Sequence, residues 1–244
     1  MNARTLPELP ATEFLPFTVT CVRDEAELAK AVAIRRVAYG RHLPDLAARF
    51  ATAEPSDTDG SSRILVAISK LDGKPLGSMR YRTNEFQPLD LEQSVTLPET
   101  LRSRVLTEAT RLAVTHNAVG RTVKAMLLKA MFRQCELSGV DCIVAAARSP
   151  MDRFYQWLYF EDVFPGAEFI PMAHAGMIPH RVMNCDMAVT KKRWRQVNHP
   201  WYSLFFEMNH PDVELTPFPV GAPTESRIGA IAPPATSAKP RNLR

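Results

Sequence analysis

Glu108 and Arg111 stand three residues apart in the run Val-Leu-Thr-Glu-Ala-Thr-Arg-Leu-Ala-Val, residues 105–114. A carboxylate in such a run is a candidate proton acceptor, directly or through a water. It is equally the anionic half of a structural ion pair with Arg111, and the sequence leaves both readings open. On a flat strand, residues three apart point to opposite faces, and a one-residue bulge between them would bring both to one side. Tyr155, in Asp152-Arg153-Phe154-Tyr155-Gln156-Trp157-Leu158-Tyr159-Phe160, is a candidate proton donor, or else a core aromatic with a satisfied hydroxyl. Arginine grips carboxylates in a planar fork. Arg35 shares a helix face with Leu28, Ala31 and Val32, so it either snorkels at the edge of that face or points into a site. Arg80 lies on a strand, and with Arg82 it is either a solvated face or a binding face.

These groups need elements to position them. Phe17–Val22 reads as a strand, and Asp24 is a good N-cap for a helix over 24–38. Residues 40–62 read as an irregular or partly helical crossing. Two strands, 63–69 and 76–83, join through Asp72-Gly73, which supplies the positive φ of a tight hairpin turn. On the second strand Ser78, Arg80 and Arg82 face one way, and Gly77, Met79 and Tyr81 the other. Residues 105–114 carry both strand and helix signals. Asn117-Ala118-Val119-Gly120-Arg121-Thr122 leads into a helix over 121–138 that is apolar nearly all round, as befits a buried helix. Its free N–H groups would cradle an anion, with Gly120 allowing close approach, though one glycine before a helix is as readily a plain turn. Residues 140–147 are a continuous apolar strand. Ser149 as N-cap and Pro150 in the first turn open a short helix, and 182–190 reads as a last strand. The order β-α-loop-β-β-β-α-β-α-β predicts an α/β (α+β) fold: one mixed, mostly antiparallel sheet flanked by helices.

The chain has 244 residues, 45% of them hydrophobic, which suits one soluble globular domain. We expect a flexible arm over 1–16, a folded domain over 17–208 and a Pro-rich, disordered tail over 209–244. No apolar run is long enough to span a membrane and no leader is legible, so a cytoplasmic location is expected. Cys21, Cys135, Cys142 and Cys185 lack metal or redox spacing and read as free thiols. The net charge of +4 comes without a lysine-rich tail or basic–aromatic repeat, so no nucleic-acid partner is expected.

Phe154-Tyr155 with Phe160 resembles the last motif of the GNAT acyltransferase superfamily, with Tyr159 where those proteins usually have glycine. Asn117-x-x-Gly120-x-Thr122 is similar, loosely, to their pyrophosphate loop, with Thr122 in place of a small residue. A narrower resemblance joins these. Ile34-Arg35-Arg36-Val37-Ala38-Tyr39, Asp57-Thr58-Asp59, Leu76-Gly77-Ser78-Met79-Arg80-Tyr81 and Glu108-Ala109-Thr110-Arg111-Leu112-Ala113-Val114 resemble, in order, blocks of the acyl-homoserine-lactone synthases. The tryptophan those synthases carry near 40–50 is absent. The combination looks most like the long-chain N-acyl amino acid synthases.

That resemblance implies transfer of an acyl group from a phosphopantetheine thioester, on acyl carrier protein or coenzyme A, to the amine of a small acceptor. No permanently bound cofactor or metal is implied. Glu108 would be the base and Tyr155 the acid for the departing thiol. Arg35, Arg80, Arg111 and Arg148 are the substrate-binding candidates. Val114, Asn117, Gly120, Arg121 and Thr122 are the candidates for the pantetheine arm. Arg121, Lys124, Lys129 and Arg133, with Lys191, Lys192, Arg193 and Arg195, form a candidate face for an acidic carrier protein. His174 and His180 flank Gly176 and fit an acceptor-site loop better than a metal site. An acetyl-CoA-dependent N-acetyltransferase and a non-catalytic thioester-binding module are the alternatives.

Overall fold

Alternating apolar residues make Phe17–Cys21 the first strand, β1, with Phe17 and Val19 fully buried. Asp24 caps α1 (Glu25–Gly40), its carboxylate accepting from Glu27 N at 2.8 Å, where an anion also meets the positive end of the helix dipole. Two short helices follow, α2 (Pro44–Ala48) and α3 (Pro55–Thr58). Each opens on proline, whose missing N–H costs nothing in a first turn. β2 (Ser62–Ser69) and β3 (Pro75–Thr83) form the expected hairpin, with Gly73 at φ 69° in its turn. Then come α4 (Glu99–Arg102), β4 (Leu106–Val114), α5 (Ala118–Leu137), β5 (Cys142–Ala147), α6 (Met151–Trp157), β6 (Glu161–Asp162), β7 (Ile170–Met172), β8 (Ile178–Asp186), α7 (Met187–Gln196) and α8 (Tyr202–Phe206). The computed structural model describes residues 10–85, 87–166 and 169–217.

One sheet runs in the order β1-β2-β3-β4-β5-β8-β6, with β7 paired to β8. All pairs are antiparallel except β4 with β5. Residues 105–114, ambiguous by pattern, become a strand because β3 and β5 flank it on both sides. One face of the sheet packs on α5, through Met79, Tyr81, Ala109, Ile143, Ala145 and Met183. On the other face α1 covers Ile64 and Val66, and Leu106, Val144 and Val182 join a second apolar cluster with Leu89 and Leu91. Ser78, Arg80 and Arg82 share this second face, as their alternation with Met79 and Tyr81 requires.

Several expectations shift. α5 begins at Ala118, three residues early, because Asn117 is its N-cap and its side chain accepts from Gly120 N. The last strand ends at Asp186, whose carboxylate caps α7 through Val189 N at 2.9 Å. The β-prone Met187–Thr190 is therefore helical: a cap outweighs propensity over so short a run. Pro150, not Ser149, occupies the cap position of α6. The expected arm and tail partly belong to the domain. Leu15 and Val213 are buried, Leu15 N donates to Asp212, and Val19 exchanges backbone hydrogen bonds with Asp212 and Glu214. These contacts continue the sheet past β1. Residues 1–9 of the arm and 218–244 of the tail lie outside the described residues.

Candidate active site

β4 and β5 pair only from Leu106↔Cys142 to Glu108↔Val144. Beyond that they part. The parting begins where β4 carries one extra residue: Thr110 faces Arg80 and Ala113 faces Ser78, and Arg111 between them has φ 54°. This is the bulge that brings Arg111 to the face of Glu108 and Thr110. A cavity of about 370 Å³ fills the opening, walled by residues 109–114 of β4, 146–148 at the end of β5, Tyr155 of α6, the end of α1 and the β7–β8 turn. Thr115 N donates to Leu76 O of β3 at 2.8 Å, so by strand alternation Val114 turns its own N–H and C=O toward the gap.

The arginines divide into two groups. Arg35 Nη1 meets both oxygens of Asp57, at 2.8 and 2.7 Å, with side-chain exposures of 1% and 0%. Arg80, equally buried, reaches Glu54 and Asp57 at 3.2 Å, Asp90 at 3.0 Å and Thr110 Oγ1 at 3.2 Å. Arg82 closes on Asp90 at 2.7 Å. Neither Arg35 nor Arg80 reaches the cavity wall. The guanidiniums expected to hold a substrate carboxylate meet the chain's own carboxylates instead, Arg35 through Nη1 alone, with its Nε and Nη2 buried and without partners among the described residues. Arg35 thus neither snorkels nor opens into the site. Burial alone would raise the Glu54 and Asp57 carboxyls, but Arg111 and Arg35 more than offset it and both lie below their usual range.

Arg111 and Arg148 do reach the wall. Arg111 is forked onto Glu54 at 2.7 and 2.8 Å and also donates to His174 O at 2.8 Å. Arg148 is half-buried, its carbonyl accepts from Asp152 N at 3.2 Å, and its guanidinium makes no ion pair or hydrogen bond among the described residues.

Glu108 is fully enclosed and lies off the cavity wall. Its Oε2 accepts from Asp90 N at 2.6 Å and Leu91 N at 3.4 Å. Its Oε1 has no partner among the described residues. Burial and the neighbouring Asp90 charge push its carboxyl up to about 8, so it is protonated at neutral pH. Tyr155 is on the wall, and burial pushes its phenol far up, so the hydroxyl stays protonated.

Of the arm candidates, Val114 lines the cavity, while Asn117, Gly120, Arg121 and Thr122 do not. Gly120 is required for a reason internal to the chain: a Cβ there would sit 1.9 Å from Thr115 O. Tyr159 keeps the turn that glycine makes in related motifs, at φ 65°, with the Arg193 guanidinium 4.4 Å over its ring. On the basic face, Lys129 is buried against Met208 O and His210 Nδ1, and Arg133 and Lys191 both pair with Glu136, so those three do not form part of a free cationic surface. Sequence reading missed Lys124 and Tyr39 as wall residues, because nothing in their local pattern marks a cavity. No cluster of metal-ligating side chains occurs among the described residues, and no helix there is long and apolar enough to cross a membrane.

A mixed sheet whose β4 and β5 pair in parallel and then part around a cavity is the architecture of a GNAT-type acyltransferase. The chain belongs to the N-acyl amino acid synthase FeeM family, whose profile matches residues 30–182. It is therefore an N-acyltransferase. Its fold is similar to that of FeeM, an N-acyl amino acid synthase from uncultured soil microbes, at TM-score 0.57 and 13% identity over 74% of this chain and 96% of that one. It is also similar to a bacterial toxin, at TM-score 0.51 and 11% identity over 74% and 97%. A putative N-acetyltransferase from Lactobacillus plantarum aligns at TM-score 0.49 and 15% identity over 71% and 99%. A search of curated protein sequences returns no match.

Proposed function

We propose that the protein moves a long acyl chain from the phosphopantetheine thioester of acyl carrier protein to the amine of an amino acid or similar small molecule. The parting of β4 from β5 carries this reading. It leaves the Val114 peptide groups unpaired beside a slot, which is what the amides of a pantetheine arm need. The amine attacks the thioester carbonyl, the C–N bond forms, and the tetrahedral centre collapses with loss of thiol. Tyr155 keeps its proton and donates to the departing sulfur. Arg148 takes the acceptor's carboxylate, because it lies on the cavity wall, whereas Arg35 and Arg80 lie off it against the chain's own carboxylates. Glu108, sealed and protonated, holds the 89–91 turn through its two backbone hydrogen bonds. A carrier-protein donor is favoured by the start of α5, where the Asn117 side chain already accepts from Gly120 N and so takes up an N–H that a pyrophosphate would use.

The test offers the purified protein acyl carrier protein thioesters of graded chain length, the matching acyl-CoAs and acetyl-CoA, with pooled amino acids. Free thiol and product mass are followed. The expected result is thiol release with long-chain carrier thioesters and an N-acyl amino acid product. Release with acetyl-CoA alone would overturn the donor assignment, and binding without release would overturn transfer.

A further inference from the structure

Transfer to an amine needs a group that takes the amine's proton, and Glu108 cannot reach the cavity in this structure. We propose that His180 is that group: a catalytic base whose Nε2 receives the amine proton as the C–N bond forms. This rests on the acyl-transfer reading above. His180 is the third residue of β8 and lies on the cavity wall. Its Nδ1 is 2.7 Å from Ile178 O. A carbonyl only accepts, so Nδ1 carries the hydrogen and Nε2 keeps its lone pair. Nε2 makes no hydrogen bond to any described residue and is not sealed from the cavity as His174 Nδ1 is. A backbone group that fixes the ring and leaves the far nitrogen open is the arrangement of an oriented base.

Position supports the same role. Ala147 pairs with Arg181 across β5 and β8, so the next pair in register sets Arg148 beside His180 on one face of the sheet. An amino acid whose carboxylate rests on Arg148 thereby brings its amine toward the imidazole. No Asp or Glu lines the cavity among the described residues. The charged and titratable groups around His180 are Arg148 after β5, Arg111 of β4 and His174 of the β7–β8 turn. Burial lowers its pKa most, the bond to Ile178 O raises it in part, and the Arg148 and Arg111 guanidiniums lower it again; the net shift is downward, so the ring is neutral at pH 7. The step balances: the amine nitrogen bonds the carbonyl carbon and gives one proton to Nε2. The C–S bond then breaks, and that proton passes through the Tyr155 hydroxyl to the thiolate.

The test compares wild type with His180→Gln and His180→Ala in thiol release across pH, with circular dichroism and acyl-thioester binding as checks on folding. The expected result is a kcat about 10²–10⁴-fold lower with thioester affinity retained. The acid limb of the wild-type profile should disappear, and free imidazole should restore turnover in His180→Ala. Rates within threefold of wild type, or a fall with the acid limb intact and no rescue, would overturn the assignment. Wild type that releases no thiol from any thioester would instead overturn the acyl-transfer reading, and the role of His180 with it.

Discussion

Arg35→Met separates a structural guanidinium from a binding one. The Arg35–Asp57 pair lies at 2.7 Å with side-chain exposures of 1% and 0%, so water screens neither charge. Methionine fills a similar volume and keeps the apolar face of α1, but it leaves Asp57 buried. Breaking a buried pair by removing one partner costs about 3–5 kcal/mol, most of it the penalty of the stranded charge. Here the penalty is softened, because Arg80 Nη1 remains 3.2 Å from Asp57 Oδ1 and Glu54 N still donates to Asp57 Oδ2 at 2.9 Å. The low end, about 3 kcal/mol, is expected. At roughly 2–4 °C per kcal/mol for a chain of this size, Tm falls by about 6–12 °C. Arg35→Met with Asp57→Asn should recover part of that loss, since no unpaired charge is then buried. Denaturant and thermal unfolding measure the stability, and acceptor KM on the folded fraction measures binding. A loss under about 1 kcal/mol, or a raised KM with Tm unchanged, would refute the structural account and return Arg35 to the acceptor site.

Arg148→Ala should do the opposite: removing one charge-assisted contact of about 1.5–3 kcal/mol raises acceptor KM about 10- to 100-fold, with Tm nearly unchanged, and an unaltered KM would remove Arg148 from the site. Gly120→Ala should destabilise by about 1–3 kcal/mol or more in spite of alanine's better helix propensity, because its Cβ would lie 1.9 Å from Thr115 O; a neutral result in urea unfolding would show that the 115–120 turn relaxes freely. Glu108→Gln tests the buried acid through pH. Its folded pKa is raised to about 8, so between the ordinary carboxylate range and about pH 8 the unfolded chain is ionised while the folded chain holds a proton. Wild-type stability should then fall with rising pH across that window, by at most about 1.4 kcal/mol per unit, and level off above it. The glutamine variant lacks this slope, and parallel curves for the two proteins would contradict a protonated Glu108.

The sequence revealed the sheet wherever pattern and local chemistry agreed. Asp24, Gly73 and the apolar run of α5 each name one conformation, and the structure keeps all three. Even the bulge was legible, because Glu108 and Arg111 could share a face only with an extra residue between them. Legibility failed where a long-range contact decides. Nothing near Arg35 announces Asp57, which follows 22 positions later and meets it only once α3 packs beside α1. Lys129 reads as a surface cation on its helix, yet Met208 O, at the end of the expected domain, and His210, in the expected tail, enclose it. His180 read as part of an acceptor-site loop, without a role of its own. Its meaning comes from Ile178 O, two residues away on a strand whose start the sequence misplaced.

The cavity and the ion network follow from a single feature of β4. This strand must serve an antiparallel neighbour, β3, along its length and a parallel one, β5, at its start. The added residue lets it stay with β3 while it turns away from β5. Left-handed backbone at Arg111 opposes this by about 1–2 kcal/mol, and Arg111 itself supplies the compensation. Its fork on Glu54 and its bond to His174 O tie the bulge to α3 on one side and to the β7–β8 turn on the other. Glu54 in turn meets Arg80, which fixes β3 under the bulge. The buried carboxylates therefore brace the bulged strand, and the groups proposed for the chemistry, Tyr155, Arg148 and His180, lie on the cavity wall outside that network. The charged residues most visible in the sequence, Arg35, Arg80 and Glu108, are held off the cavity wall, and the proposed chemistry falls to groups marked by their neighbours and not by their own motifs.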